Sequence, residues 1–233
     1  MKMSKNTVLI TGGATGIGYS IAKYLLERDN DVIICGRREE RLAQAKREMQ
    51  GINTFGCDVA NPDDRNALLK YIIDNFPKMN ILINNAGIQQ DIDLTKGVDE
   101  LVGRDSEIQI NLEAPVYLSA MFTPLLSGKE NATIVNVSSA LAFMVERAAR
   151  APIYCATKAG LHAFSIAQRI QLASLGIRVV EIIPPMVESE LNIEGRRKRN
   201  MLKAPFMMTS DDFVEQAFAK MEQDVDEIRI KTK

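Results

Sequence analysis

The chain has few of the residues that most metal and nucleophile chemistry uses. Its 233 residues include one histidine, His162. Histidine-based triads and histidine-rich metal sites are nearly excluded, and His162 is expected to be a structural helix residue. Three cysteines occur, Cys35, Cys57 and Cys155. The count is odd, the spacing wide and the surroundings apolar. No metal site is expected, and free thiols in a reducing cytoplasm fit better than a disulfide framework. Net charge is −1, so no global field draws nucleic acid or an anionic membrane. No apolar run reaches the length of a membrane span, so no membrane insertion is expected. The opening residues 1–6 lead directly into a strand-like run, without the apolar stretch of a signal peptide. Internal repeats and low-complexity linkers are missing as well. With 46% apolar residues, the expectation is one cytoplasmic domain over residues 1–233.

The rest of the chain alternates strand-like and helix-like segments. Thr7-Val8-Leu9-Ile10 reads as a buried strand, and a helical pattern follows from Tyr19 to Arg28. Between them lies Thr11-Gly12-Gly13-Ala14-Thr15-Gly16-Ile17-Gly18. A glycine-rich turn between a strand and a helix lets backbone approach a pyrophosphate, and the helix start offers free N–H groups. A second strand, 31–36, ends at Gly36 and is followed by Arg37 and Arg38. Arginine there can pair with a 2′-phosphate and so favours NADP over NAD. Glu39 and Glu40 argue the other way, since both arginines could simply open a charged helix.

Further strands are expected over 53–59, 80–83, 132–137, 176–183 and, at an edge, 227–231. Helices are expected over 39–50, 62–76, 105–126 and 211–221. Asp58 and the turn Asn84-Asn85-Ala86-Gly87 fall at the carboxyl ends of strands, where open parallel sheets bind ligands. Ser138 and Ser139 follow the fifth strand in the same way. Asn111 lies inside a predicted helix, where asparagine is a poor fit. The stretch 140–151 carries Glu146, Arg147 and Arg150 and reads as a solvated loop. Residues 186–209 combine methionines with the basic run Arg196-Arg197-Lys198-Arg199 and suit a mobile lid. An RNA-binding role for that run would predict strongly salt-dependent affinity and is the weakest alternative.

Tyr154 and Lys158 are four residues apart at the start of a helical pattern, so both project from one face. A free tyrosine titrates near pH 10. An ammonium about 5 Å away, at an effective dielectric of about 20, favours the phenolate by roughly 3 kcal/mol. That is about two pKa units, enough to bring the phenol into the acid–base range.

Together these motifs resemble the short-chain dehydrogenase/reductase family over essentially the whole chain. The carrying residues are Thr11-Gly12-x-x-x-Gly16-x-Gly18, Asp58, Asn84-Asn85-Ala86-Gly87, Asn111, Ser138-Ser139, Tyr154-x-x-x-Lys158 and Pro184. Within the family, residues 35–42, 139–143, 154–159 and 182–185 look like the oxidoreductases encoded with bacterial lipoteichoic-acid D-alanylation genes. The resemblance implies an α/β Rossmann fold, a doubly wound parallel sheet of about seven strands with helices on both faces.

It also implies a catalytic set. Tyr154 would be the acid/base, Lys158 would lower its pKa and hold the nicotinamide ribose, Ser139 would bind the substrate oxygen, and Asn111 would position a water. Gly12, Thr15, Gly16, Ile17 and Gly18 would carry the pyrophosphate, Asp58 and Val59 the adenine region, and Asn85, Ala86 and Gly87 the inner ribose region. Pro184 and Val187 would also bind the cofactor, and Arg37 and Arg38 would set NADP(H) over NAD(H). The interval from Ser139 to Tyr154 is fifteen positions, longer than in most members, which keeps Ser138 as an alternate. Pro185 stands where glycine is frequent. The implied function is hydride transfer between NAD(P) and a carbonyl or secondary alcohol, in a homodimer or homotetramer. The competing reading is a catalytically silent NADP-binding regulatory or scaffold protein.

Overall fold

The structure is a computed structural model that describes residues 2–199 and 207–230. Short apolar runs form the strands β1 (Thr7–Thr11), β2 (Asp31–Gly36), β3 (Asn53–Gly56), β4 (Ile81–Asn84), β5 (Thr133–Val137), β6 (Arg178–Ile183) and β7 (Glu227–Arg229). They make one seven-stranded sheet in the order β3-β2-β1-β4-β5-β6-β7. Every pairing is parallel. β1, β4 and β5 are buried throughout, as strands covered on both faces must be.

The helices are α1 (Gly16–Leu26), α2 (Glu39–Glu48), α3 (Pro62–Asn75), α4 (Ala114–Leu126), α5 (Pro152–Leu172), α6 (Ile193–Lys198) and α7 (Ser210–Glu222). Two apolar cores form on opposite sides of the sheet. One sets Ile10, Ile34 and Val180 against Leu25 of α1 and Phe218 of α7. The other sets Leu9, Ile33 and Leu82 against Leu68 of α3 and Phe122 of α4. This is the expected doubly wound α/β architecture. The order of strands reverses between β1 and β4, and the carboxyl ends there frame a crevice.

Two expectations need correction. The third strand stops at Gly56 rather than 59. Asp58 N–H donates to the Asp64 carboxylate (2.7 Å), so it is lost to the ladder and the chain turns. The helix expected over 105–126 carries a π-helical turn, Gln109–Glu113, before α4. Asn111 sits in that turn, which is how the chain accommodates a residue unsuited to a regular helix. Within the expected lid, 186–209, the chain forms α6, and Val187 bridges to Met208. Residues 200–206 of the expected lid, and residues 231–233, lie outside the described residues.

Candidate active site

The glycine turn is built for close approach. Gly12 has φ +65°, and a Cβ there would lie 2.8 Å from Ala86 Cα. A Cβ on Gly18 would lie 2.3 Å from the Gly12 carbonyl oxygen. Thr11 Oγ1 accepts from the N–H groups of Asn85 and Ala86, both at 3.0 Å. Asn85 Nδ2 donates back to the carbonyls of Thr11 (2.9 Å) and Gly12 (3.1 Å). The ends of β1 and β4 are therefore stitched together, and the N-terminus of α1 opens onto the crevice beside Thr15, Gly16 and Ile17. A cavity of about 280 Å³ lies between α1, α2 and the segment after β6, lined by Thr15, Gly16, Tyr19, Arg41, Gln44 and Glu190 among others. Glycine at 12 and 18 lets the turn pack tightly against Ala86 and the start of α1, and the free N–H groups at that helix end fit the pyrophosphate of a dinucleotide.

At the other end of the crevice, Pro152 opens α5, and Tyr154 falls in its first turn. Tyr154 is 5% exposed and Lys158 4%. Lys158 Nζ donates to the Val137 carbonyl at 2.9 Å and stands 5.8 Å from the Tyr154 ring centre. Ser139 shares a hydrogen bond with the Tyr154 phenol. Ser138 instead donates to Glu181 Oε1 at 2.5 Å, which separates the two serines. Asn111 accepts from Ile88 N–H (2.9 Å) and donates to the Ile88 carbonyl (2.8 Å) and Thr157 Oγ1 (3.2 Å). A Cβ on Gly87 would meet Asn111 Oδ1 at 3.3 Å and Lys158 Nζ at 3.6 Å. The missing side chain thus keeps open a space that both groups face.

The electrostatics overturn one expectation. Burial pushes the Tyr154 phenol up to about 12; the Ser139 hydrogen bond pulls the other way, and the charges of Cys155 and Glu107 add to the rise. Lys158 does not bring the phenol down, because burial pulls its own ammonium down to about 8, offset in part by the Glu181 carboxylate. Desolvation of both partners outweighs the attraction expected at an intermediate dielectric. In this structure Tyr154 holds its proton firmly.

The remaining end of the crevice is ionic and open. Arg37 pairs with Asp105 (2.9 Å) and lies 3.8 Å from Asp58. Arg38 pairs with Glu190 (2.9 Å) and donates to Thr15 Oγ1 (3.2 Å). Arg41 holds the other oxygen of Glu190 at 2.6 Å. Both arginines that follow β2 thus have carboxylate partners from distant parts of the chain. Val187 and Glu190 belong to the segment after β6, and the Pro184 carbonyl accepts from Ala140 N–H at 2.9 Å.

With this geometry in place, comparison with known proteins is decisive. The profile of the short chain dehydrogenases matches residues 6–200. The chain belongs to the short-chain dehydrogenase family. It is 51% identical over 201 residues to the uncharacterized oxidoreductase DltE of Bacillus subtilis (strain 168), covering 86% of this chain and 79% of that protein. A short-chain dehydrogenase from Sphingobium yanoikuyae, solved in complex with NADPH, is 26% identical with a TM-score of 0.79, covering 95% and 86% of the two chains. A family member from Burkholderia phymatum in complex with NAD shares the fold at 17% identity, TM-score 0.86, over 98% and 89%.

In this short-chain dehydrogenase, several residues around the site were not singled out by sequence reasoning. Glu181 is fully buried in β6, where it accepts from Ser138 and contacts His162 Nδ1 at 2.7 Å. A lone carboxylate inside Val179-Val180-Glu181-Ile182-Ile183 was the available signal, since an unpaired charge does not survive in a buried strand. Thr157, which takes a hydrogen bond from Asn111, had no such signal. His162, Glu181 and Glu227 bring possible ligand atoms within 4.8 Å of one another. Those atoms already have partners: Ser138 holds Glu181, and Arg229 holds Glu227 at 2.8 Å. Arg150, expected in a solvated loop, faces Asp91 at 3.5 Å, and Arg196 of the basic run is buried rather than solvated. Among the described residues, no helix is long and apolar enough to cross a membrane.

Proposed function

We propose that this chain reduces a carbonyl compound at Ser139, Tyr154 and Lys158, with NADPH as the preferred cofactor. The observation that carries the reading is the buried phenol of Tyr154, hydrogen-bonded by Ser139 at the carboxyl edge of the sheet, with Lys158 one helical turn behind. A bound nicotinamide cofactor would supply the hydride that reduces the carbonyl carbon. Ser139 and Tyr154 hold the carbonyl oxygen by two hydrogen bonds, and Tyr154 gives it the proton as charge develops. A phenol at about 12 is fully protonated at neutral pH, which suits donation and hence the reductive direction. Lys158 and Asn111 face the space at Gly87, where a ribose hydroxyl or a water can link them and return a proton to Tyr154.

Gly12, Gly16 and Gly18 would admit the pyrophosphate, with Thr15 and Ile17 beside it. Asp58 and Val59 would border the adenine, and Asn85, Ala86 and Gly87 the inner ribose. Pro184 and Val187 would flank the nicotinamide, and residues 186–209 would act as the lid. Arg38 and Arg37 support NADPH over NADH, because a 2′-phosphate offers them a stronger partner than an exposed carboxylate. Tyr117 on α4 and Ile166 and Ile170 on α5 are exposed, Ile170 by 75%, which supports self-association through these helices into a dimer or tetramer. Light scattering tests that assembly.

The experiment for the main reading is NADPH oxidation against a panel of aldehydes and ketones, with wild type beside Tyr154→Phe. Turnover in the wild type that falls by at least about 100-fold in the variant is expected. Cofactor binding without turnover on any carbonyl would favour a binding or scaffold role instead.

A further inference from the structure

The segment after β6 places an unusual amount of positive charge out of water. Arg196 of α6 is 9% exposed, and its Nε has no hydrogen-bond partner among the described residues. Arg199 leaves Nε and Nη2 buried and unpartnered, and Arg150 leaves Nε. Buried guanidinium donors are normally satisfied, so four such nitrogens on three neighbouring side chains call for an acceptor. The available carboxylate is Asp91, and it is shared. Arg199 Nη1 bonds its Oδ2, Asn192 Nδ2 donates to its Oδ1 at 2.9 Å, and Arg150 Nε stands 3.5 Å from that oxygen. Arg196 is spent elsewhere: Nη2 donates to the Ser189 carbonyl, and its side chain reaches Met207 Sδ. Gly195 allows this crowding, since a Cβ there would lie 2.7 Å from Asp91 Oδ2.

One member of the cluster, Arg150, leads into the helix that carries the reacting groups. Arg150 is two residues before Pro152, which starts the helix of Tyr154, and its carbonyl accepts from Ile92 N–H at 2.8 Å. Its charge is felt at Cys155, next to Tyr154. Glu107 is felt at Tyr154 and itself feels Asp91. Arg150 and Arg199 share Asp91 between them, and Arg196 donates to neutral groups instead. Burial and the like charge of Arg199 both disfavour the Arg196 cation, with Glu188 a partial offset.

We propose that Arg150, Arg196 and Arg199 form the subsite for an oxyanion, a carboxylate or a phosphate, carried by the carbonyl substrate. The inference deepens the reductase reading and rests on it for the carbonyl end alone. Planar guanidinium forks bind such groups through paired charge-assisted hydrogen bonds. The anion would satisfy the four orphaned donors and fix the carbonyl against Tyr154 and Ser139.

The test compares matched probes with NADPH on the full chain: levulinate against methyl levulinate, and dihydroxyacetone phosphate against dihydroxyacetone. The charged member of at least one pair should have kcat/KM higher by about 10-fold or more, through KM. The preferred pair tells carboxylate from phosphate. Arg196→Gln should remove that advantage by lowering kcat/KM for the charged member far more than for the neutral one, and Arg196→Lys should restore part of it. Equal kcat/KM within both pairs, or an equal loss on charged and neutral members, overturns the subsite. If neither member of either pair is reduced although NADPH binds, the reductase reading fails on these probes. The subsite is then judged by melting temperature with NADP⁺ saturating the crevice. A rise with inorganic phosphate in wild type but not in Arg196→Gln supports it, and no rise in wild type overturns it.

Discussion

At one end of the crevice Tyr154 and Lys158 are almost wholly out of water, while at the other Arg37, Arg38 and Arg41 keep 41%, 51% and 37% of their side chains exposed. The buried end holds its charge by packing and by bonds to backbone, such as Lys158 to the Val137 carbonyl. The open end holds its charge by ion pairs to side chains of other segments. Desolvation makes the first expensive and sensitive, with shifts of whole pKa units. Exposed pairs are worth about 1 kcal/mol or less and exchange partners readily. In the proposed function the buried end does the chemistry and the open end chooses between cofactors.

Substitutions can sharpen that contrast. Ser139→Ala removes one donor to the developing oxyanion, so kcat should fall by roughly 100-fold, whereas Ser138→Ala, which touches Glu181 instead, should change it far less. Steady-state assays with a reduced carbonyl check this. The buried end should also mark stability. Between about pH 8 and 10.5 the unfolded chain keeps the lysine proton and the folded chain does not, so stability rises with pH across that window. The gain is about 3 kcal/mol at most and is absent in Lys158→Met. Above pH 10 the unfolded tyrosine ionises while Tyr154 does not, so stability then falls through the range up to about 12. Urea midpoints at a series of pH values read both limbs.

How much of this was legible from sequence follows the same division. The glycine turn, the parallel sheet and the Tyr154–Lys158 pair depend on local spacing, and spacing is visible in one dimension. The direction of the phenol's shift was not visible, because it depends on how completely Tyr154 and Lys158 are covered. The partners of Arg37 and Arg38 were hidden for another reason: Asp105 and Glu190 lie 68 and 152 residues away. The π turn at Asn111 was half legible, as a misfit residue whose remedy the sequence could not show.

Two smaller effects probe the remaining parts of the comparison. Gly18→Ala puts a Cβ against the Gly12 carbonyl and should cost about 1–3 kcal/mol of stability, together with cofactor binding. Thermal melts and a cofactor titration read the two losses. Glu190→Gln frees Arg38 and Arg41 from their carboxylate, so NADPH should bind tighter by a few-fold, with NADH little changed. Unchanged NADPH affinity would mean that Glu190 does not compete for these arginines.

The most direct measurement is single-turnover reduction of a carbonyl at saturating NADPH, with cofactor dissociation constants taken on the same samples of Tyr154→Phe and Arg38→Gln. The expected result is a clean crossing. Tyr154→Phe should lose the rate by at least about 100-fold and keep its affinity, while Arg38→Gln should lose about 10-fold in NADPH affinity and keep the rate. A Tyr154→Phe protein that reduces the carbonyl at the wild-type rate would contradict the account.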